Sequence, residues 1–81
     1  MKNEYILMDK PLTKIMIEVL MDCHERELLH LDPYDAGTVR SVHGLIERGM
    51  VTTHPYMTKT GKKIIGLFVT NKGRAYLSAI T

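Results

Sequence analysis

Cys23, His24, His30 and Asp32 have the side-chain types that hold metal ions, and Cys23 beside a histidine has the types of a nucleophile–base pair. Neither reading has the spacing it requires. No recognised ligand pattern links the four residues, and no oxyanion motif or phosphate-cradling glycine loop accompanies the thiol. One cysteine in 81 residues permits neither an internal disulfide nor a cysteine-rich zinc site, and a reducing, cytoplasmic setting is expected. His43 sits on the shoulder of an apolar helix face and reads as a boundary residue rather than a catalyst. No enzyme, metal or cofactor is indicated. A different chemistry is better supplied. Lys59, Thr60, Lys62 and Lys63 fall within five residues around Gly61, and lysines and hydroxyls on a hairpin tip suit phosphate oxygens, giving affinity without sequence information. The bland role for the same lysines is to discourage edge-to-edge strand pairing.

The charge distribution favours the first role. Residues 1–35 carry four basic and eight acidic side chains, net −4, whereas residues 36–81 carry seven basic side chains against Glu47 alone, net +6. That asymmetry describes an anion-seeking face built by the second half of the chain. Apolar residues at 44% and charged residues at 25% make an ordinary globular composition. At this length the chain is read as one small domain over 1–81, with 1–10 as an N-terminal arm, too short for a barrel or a two-domain enzyme. No apolar run reaches the roughly 18 residues of a membrane span, and MKNEYILMDK lacks the apolar core of a signal peptide, so no membrane partner is expected.

The elements that must position these residues follow from periodicity. Leu12, Ile15, Met16, Val19, Leu20 and Cys23 recur at three- and four-residue steps and predict a helix over 12–25. Leu28, Leu29 and Leu31 are too few to choose between helix and strand. Asp32-Pro33-Tyr34-Asp35 reads as a helix start, with Asp32 as N-cap and Pro33 at the first helical position. Val39, Val42, Leu45 and Ile46 predict a helix over 38–48, closed by Gly49 with Arg48 in its last turn. The period then changes to that of strands. Val51–His54 reads as a strand ended by Pro55, followed by a polar turn, a strand over 64–69 and a short final helix capped by Thr70 or Asn71. Ala75, Tyr76, Leu77 and Ile80 form the apolar face of that helix. Methionines such as Met8, Met16 and Met21 read as gap-filling core.

Leu45-Ile46-Glu47-Arg48-Gly49-Met50-Val51 resembles the exit of a recognition helix in winged helix-turn-helix domains. Gly61-Lys62-Lys63, Leu67-Phe68-Val69-Thr70 and Gly73-Arg74-Ala75-Tyr76-Leu77 resemble, in that order, the wing, the third strand and the final-helix start of MarR-type regulators. The resemblance covers Thr38–Leu77, about half the chain. It implies an α+β winged helix: a three-helix core, a C-terminal β-hairpin wing over 57–64 and a short final helix. It further implies a double-stranded DNA partner, with helix 38–48 in the major groove and the wing on flanking phosphates. Residue by residue, steps of about 100° put Val39, Val42 and Ile46 together, with Arg40, Gly44 and Arg48 opposite and Ser41 beside them. The DNA-binding set is then Thr38, Arg40, Ser41, Gly44, Arg48, Lys59, Thr60, Lys62 and Lys63. Arginine suits guanine O6 and N7 or a phosphate, and Gly44 leaves room for close approach. Arg48 has a second candidate role, capping helix carbonyls. His54 and Tyr56, at the base of the wing, are assigned to the scaffold.

The chain departs from the family in two places. The helix that braces the recognition helix is compressed into 26–37 around Pro33, and the long dimerisation helices have no counterpart. A homodimer contact, if built, falls to Tyr5–Met8 and to Tyr76, Leu77 and Ile80. The function expected is that of a small transcriptional regulator. The alternative is a protein-interaction module or an accessory factor of transcription or replication on the same scaffold, favoured by the eight carboxylates of the first half.

Overall fold

The computed structural model of the protein describes residues 12–39 and 41–80. It is α+β: helix α1 (Lys14–Leu28), helix α2 (Val42–Glu47), strands β1 (Val51–Met57) and β2 (Lys63–Val69), and helix α3 (Asn71–Ile80). The arm over 1–10 and Arg40 lie outside the described residues.

Helix α1 starts where Thr13 accepts a hydrogen bond from the Met16 backbone N–H at 3.2 Å, an N-cap on the third helical residue. Leu20 and Cys23 are buried, and Met16, Ile17 and Val19 pack against the same core. Ile15, expected on this face, is 57% exposed. The helix continues three residues past its predicted end. His30 stops it by adopting a left-handed φ of 57°, with Leu31 N–H donating to the Arg26 carbonyl and His30 N–H to the Glu27 carbonyl. That is the double bond pattern of a Schellman cap, here with histidine where glycine is usual.

No helix begins at Asp32. Residues 31–34 are in neither helix nor strand, Asp35 bridges Gly66 of β2, and residues 36–38 form a turn. The Asp32 carboxylate, expected to cap the N–H groups of a following helical turn, is instead taken by the Tyr56 hydroxyl and the Lys59 N–H of the hairpin. The open edge of β2 then offers partners: Ala36 N–H donates to the Ile65 carbonyl and Leu67 N–H to the Tyr34 carbonyl. Gly66 makes room for this, since a Cβ there would stand 2.9 Å from Pro33 Cγ and 2.8 Å from Phe68. Among the described residues, therefore, two helices precede the hairpin, and the expected third core helix is replaced by a strand-like crossing.

β1 and β2 pair antiparallel from Val51↔Val69 to Met57↔Lys63. Pro55 does not end β1. Ile65 and Leu67 turn their backbone groups toward the 34–36 segment, so Pro55, opposite Ile65, turns its nitrogen away from β2 and costs no ladder bond. One face of the hairpin, through Val51, Leu67 and Val69, closes on Leu12, Leu20, Cys23, Leu45, Met50, Tyr76 and Leu77. Leu20, Leu45, Met50 and Leu67 are fully buried, each contributing about 1.5–3 kcal/mol of apolar burial. The other face carries His54, Tyr56 and Phe68, with ring centroids 5.7 Å apart for His54–Phe68 and 6.0 Å for Tyr56–Phe68.

Candidate functional site

The predicted site divides into the segment around α2 and the hairpin tip. Helix α2 is six residues rather than eleven. Ser41, expected inside it, instead adopts a left-handed φ of 66° in front of it and makes no side-chain cap. The phase is set by Leu45, which is fully buried, and by Met50 just beyond. Val42 packs against the core, while His43, Ile46 and Glu47 face solvent. The helix is thus turned by roughly one 100° residue step from the predicted orientation.

Two members of the predicted set serve the helix itself. Gly44 faces α1: a Cβ there would overlap the Met16 Cε, so the glycine brings two helices together rather than opening an outward surface. Arg48 folds back and donates from Nη1 to the Gly44 carbonyl at 2.8 Å, its capping role. Gly49 follows at a left-handed φ of 71°, passing the chain to buried Met50. Thr38 is exposed and closes a turn on Asp35, its hydroxyl donating to the Asp35 carbonyl at 2.9 Å.

The hairpin tip, residues 58–62, is a bonded turn. Thr58 N–H donates to the Lys62 carbonyl at 2.8 Å, Gly61 N–H to the Thr58 carbonyl at 2.9 Å, and the Thr58 and Thr60 hydroxyls share a bond of 3.0 Å. Lys62 N–H donates to Thr58 Oγ1. Lys59 is engaged inward, its N–H donating to Asp32 Oδ2 at 3.1 Å and its Nζ to the His30 carbonyl at 3.2 Å. Asp32 Oδ1 also accepts from the Tyr56 hydroxyl at 3.2 Å, which raises the Tyr56 pKa. Lys62 and Lys63 are exposed, with no side-chain partner among the described residues.

The residues from Val69 to Arg74 do structural work in this fold. Val69 points its N–H and C=O to the open edge of β2 beyond the 34–36 crossing. Glu27 Oε2 accepts from that N–H at 2.8 Å, and Arg74 Nη1 donates to that carbonyl at 3.0 Å. Glu27 and Arg74 pair with each other at 3.8 Å. Thr70 caps α3 through Gly73 N–H at 3.0 Å and donates its hydroxyl to the Gly49 carbonyl. Gly73 lies so close to the Met50 carbonyl that no Cβ fits. Sequence reading missed Asp32 and Glu27 as partners across the fold, because nothing local to a carboxylate reveals a donor 27 or 42 residues away.

Among the described residues no group of three or more metal-ligating side chains converges, and no helix is long and apolar enough to cross a membrane. Cys23 is buried and its thiol pKa is pushed up to about 11, first by desolvation and then by Glu27 and Asp22. A cleft of about 380 Å³ beside it is lined by Arg26, His30, Pro33, Tyr56 and Phe68, of which Arg26 and Tyr56 are already bonded within the protein. No family model matches the chain, no curated protein matches it, and no solved structure matches it.

Proposed function

We propose that this chain is a small winged-helix protein that binds double-stranded DNA and acts as a transcriptional regulator. In this reading the hairpin is the wing and places Lys62 and Lys63 on phosphates. Thr38, Arg40 and Ser41, ahead of α2, read the groove, while Gly44 and Arg48 support the helix. The observation that carries the reading is the hairpin tip: two exposed lysines on an internally bonded turn, in the half of the chain that is net +6. A tip ordered before binding loses little conformational freedom on contact, so its charges act at full effect. The order of helix, short strand, helix and hairpin is compatible with the same scaffold.

Fluorescence anisotropy with a pooled random duplex, at low and moderate salt, tests the proposal. Micromolar binding that weakens steeply with salt supports it. Absence of binding at low salt removes it in favour of a protein-interaction module. One observation favours that second reading: Leu28, Leu29 and Leu31 are 66%, 58% and 49% exposed at the acidic end of α1, a cluster of the kind protein partners cover.

A further inference from the structure

We infer that Asp32 is the positioning residue of the hairpin tip, a single carboxylate that fixes where the tip stands relative to α1; its functional half rests on the DNA-binding reading above. The tip lies beyond the last paired residues, Met57 and Lys63, on a two-stranded sheet, and such ribbons are weakly constrained at their ends. Asp32 holds the incoming arm of the hairpin at two points, taking the Tyr56 hydroxyl on Oδ1 from the end of β1 and the Lys59 N–H on Oδ2 from the turn itself. Lys59 Nζ adds a third tie, to the His30 carbonyl. The loop that offers these acceptors is itself fixed. Arg26 Nη1 donates to the Asp32 carbonyl at 2.8 Å, and its guanidinium lies 3.9 Å from the Tyr34 ring centroid. Behind it stand the Schellman cap at His30 and the bridge at Asp35. From α1 to the tip the chain of contacts has no gap.

The charge of Asp32 makes the inference decidable. A carboxylate beside a phosphate-binding tip opposes DNA, so on charge alone Asp32→Ala strengthens binding. Loss of affinity in that variant therefore has to come from position. Tyr56→Phe removes one of the two side-chain ties at constant net charge and keeps the ring against Phe68.

The test pairs amide hydrogen exchange with duplex anisotropy on wild type, Asp32→Ala and Tyr56→Phe. The expected result is exchange about tenfold faster at Lys59, Gly61 and Lys62 in Asp32→Ala, and a smaller rise in Tyr56→Phe. Exchange in α1 and α3 stays at wild-type rates, and both variants bind duplex several-fold more weakly. Unchanged exchange at the tip in both variants overturns the positioning role. Faster exchange with wild-type affinity overturns its link to DNA, as does a wild-type protein that binds no duplex at low salt. In that last case the exchange data still decide whether Asp32 holds the tip.

Discussion

At the scale of the residue, Gly44 and Gly73 separate two uses of glycine that look identical in sequence. Both lie in helices against a neighbour, but the neighbour of Gly44 is the flexible end of Met16, and that of Gly73 is the Met50 backbone carbonyl. Gly44→Ala is expected to be near neutral, because the Met16 side chain can move and alanine gains about 1 kcal/mol in helix propensity. Gly73→Ala is expected to lose about 1–3 kcal/mol despite the same gain, since backbone cannot step aside. Urea denaturation of the two variants checks the contrast, and equal stabilities would mean that α3 is not seated on the α2–β1 turn. Cys23 provides a second residue-level expectation. Its folded pKa of about 11 lies above the 9.0 of an unperturbed thiol, so the folded state holds the proton longer. The stability this contributes is complete below pH 9 and is lost as pH rises through about 11. Thiol labelling of the native protein at pH 8 is accordingly slow and becomes fast on unfolding.

At the scale of the element, the end of α1 shows what local reading misses. Periodicity over Leu12–Cys23 locates the helix, and Thr13 marks its start, but its stop depends on His30 adopting a conformation that histidine disfavours. His30→Gly is expected to stabilise the protein by about 0.5–1 kcal/mol, read as a raised denaturation midpoint at unchanged slope. A loss instead would show that the His30 ring makes a contact worth more than its backbone strain. The hairpin and α3 were legible because their signals are local: β-branched runs, a Gly-Lys turn, and Thr70 three residues before Gly73. The 32–38 segment was not. Asp32-Pro33 carries the residues of a helix start, yet its backbone partners belong to β2, some 30 residues later. The short α2 failed for a related reason. Four apolar residues at helical spacing fit two phases, and only the burial of Leu45 with Met50 chooses between them. The exposure of Lys62 and Lys63 was legible in a polar turn, and so was the capping role of Arg48, whereas the inward place of Gly44 was not, because it depends on Met16 of another helix.

At the scale of the whole molecule, the division of charge and the division of structure do not coincide. The acidic residues of the first half do not simply face solvent: Asp32 ties the hairpin tip, Glu27 caps the β2 edge beside Arg74, and Asp22 accepts from Tyr34 at 3.2 Å. Of the basic excess of the second half, Arg48 and Arg74 are drawn into hydrogen bonds with backbone carbonyls, as is Arg26 of the first half. The positive charge left at the hairpin therefore concentrates on Lys62 and Lys63, since Lys59 is turned toward His30. A protein that neutralises phosphates loses affinity linearly in log salt, with a slope of roughly −0.9 per contact on duplex DNA. Lys62→Ala combined with Lys63→Ala is expected to flatten that slope by about two, weakening all duplex sequences alike. Lys59→Ala is expected to change the slope less, because its charge is already directed inward, while loosening the tip. Measured over a salt series, the ordering of these variants reports which lysines meet phosphate. A steeper loss from Lys59 than from the pair would mean that the tip releases Asp32 when it binds.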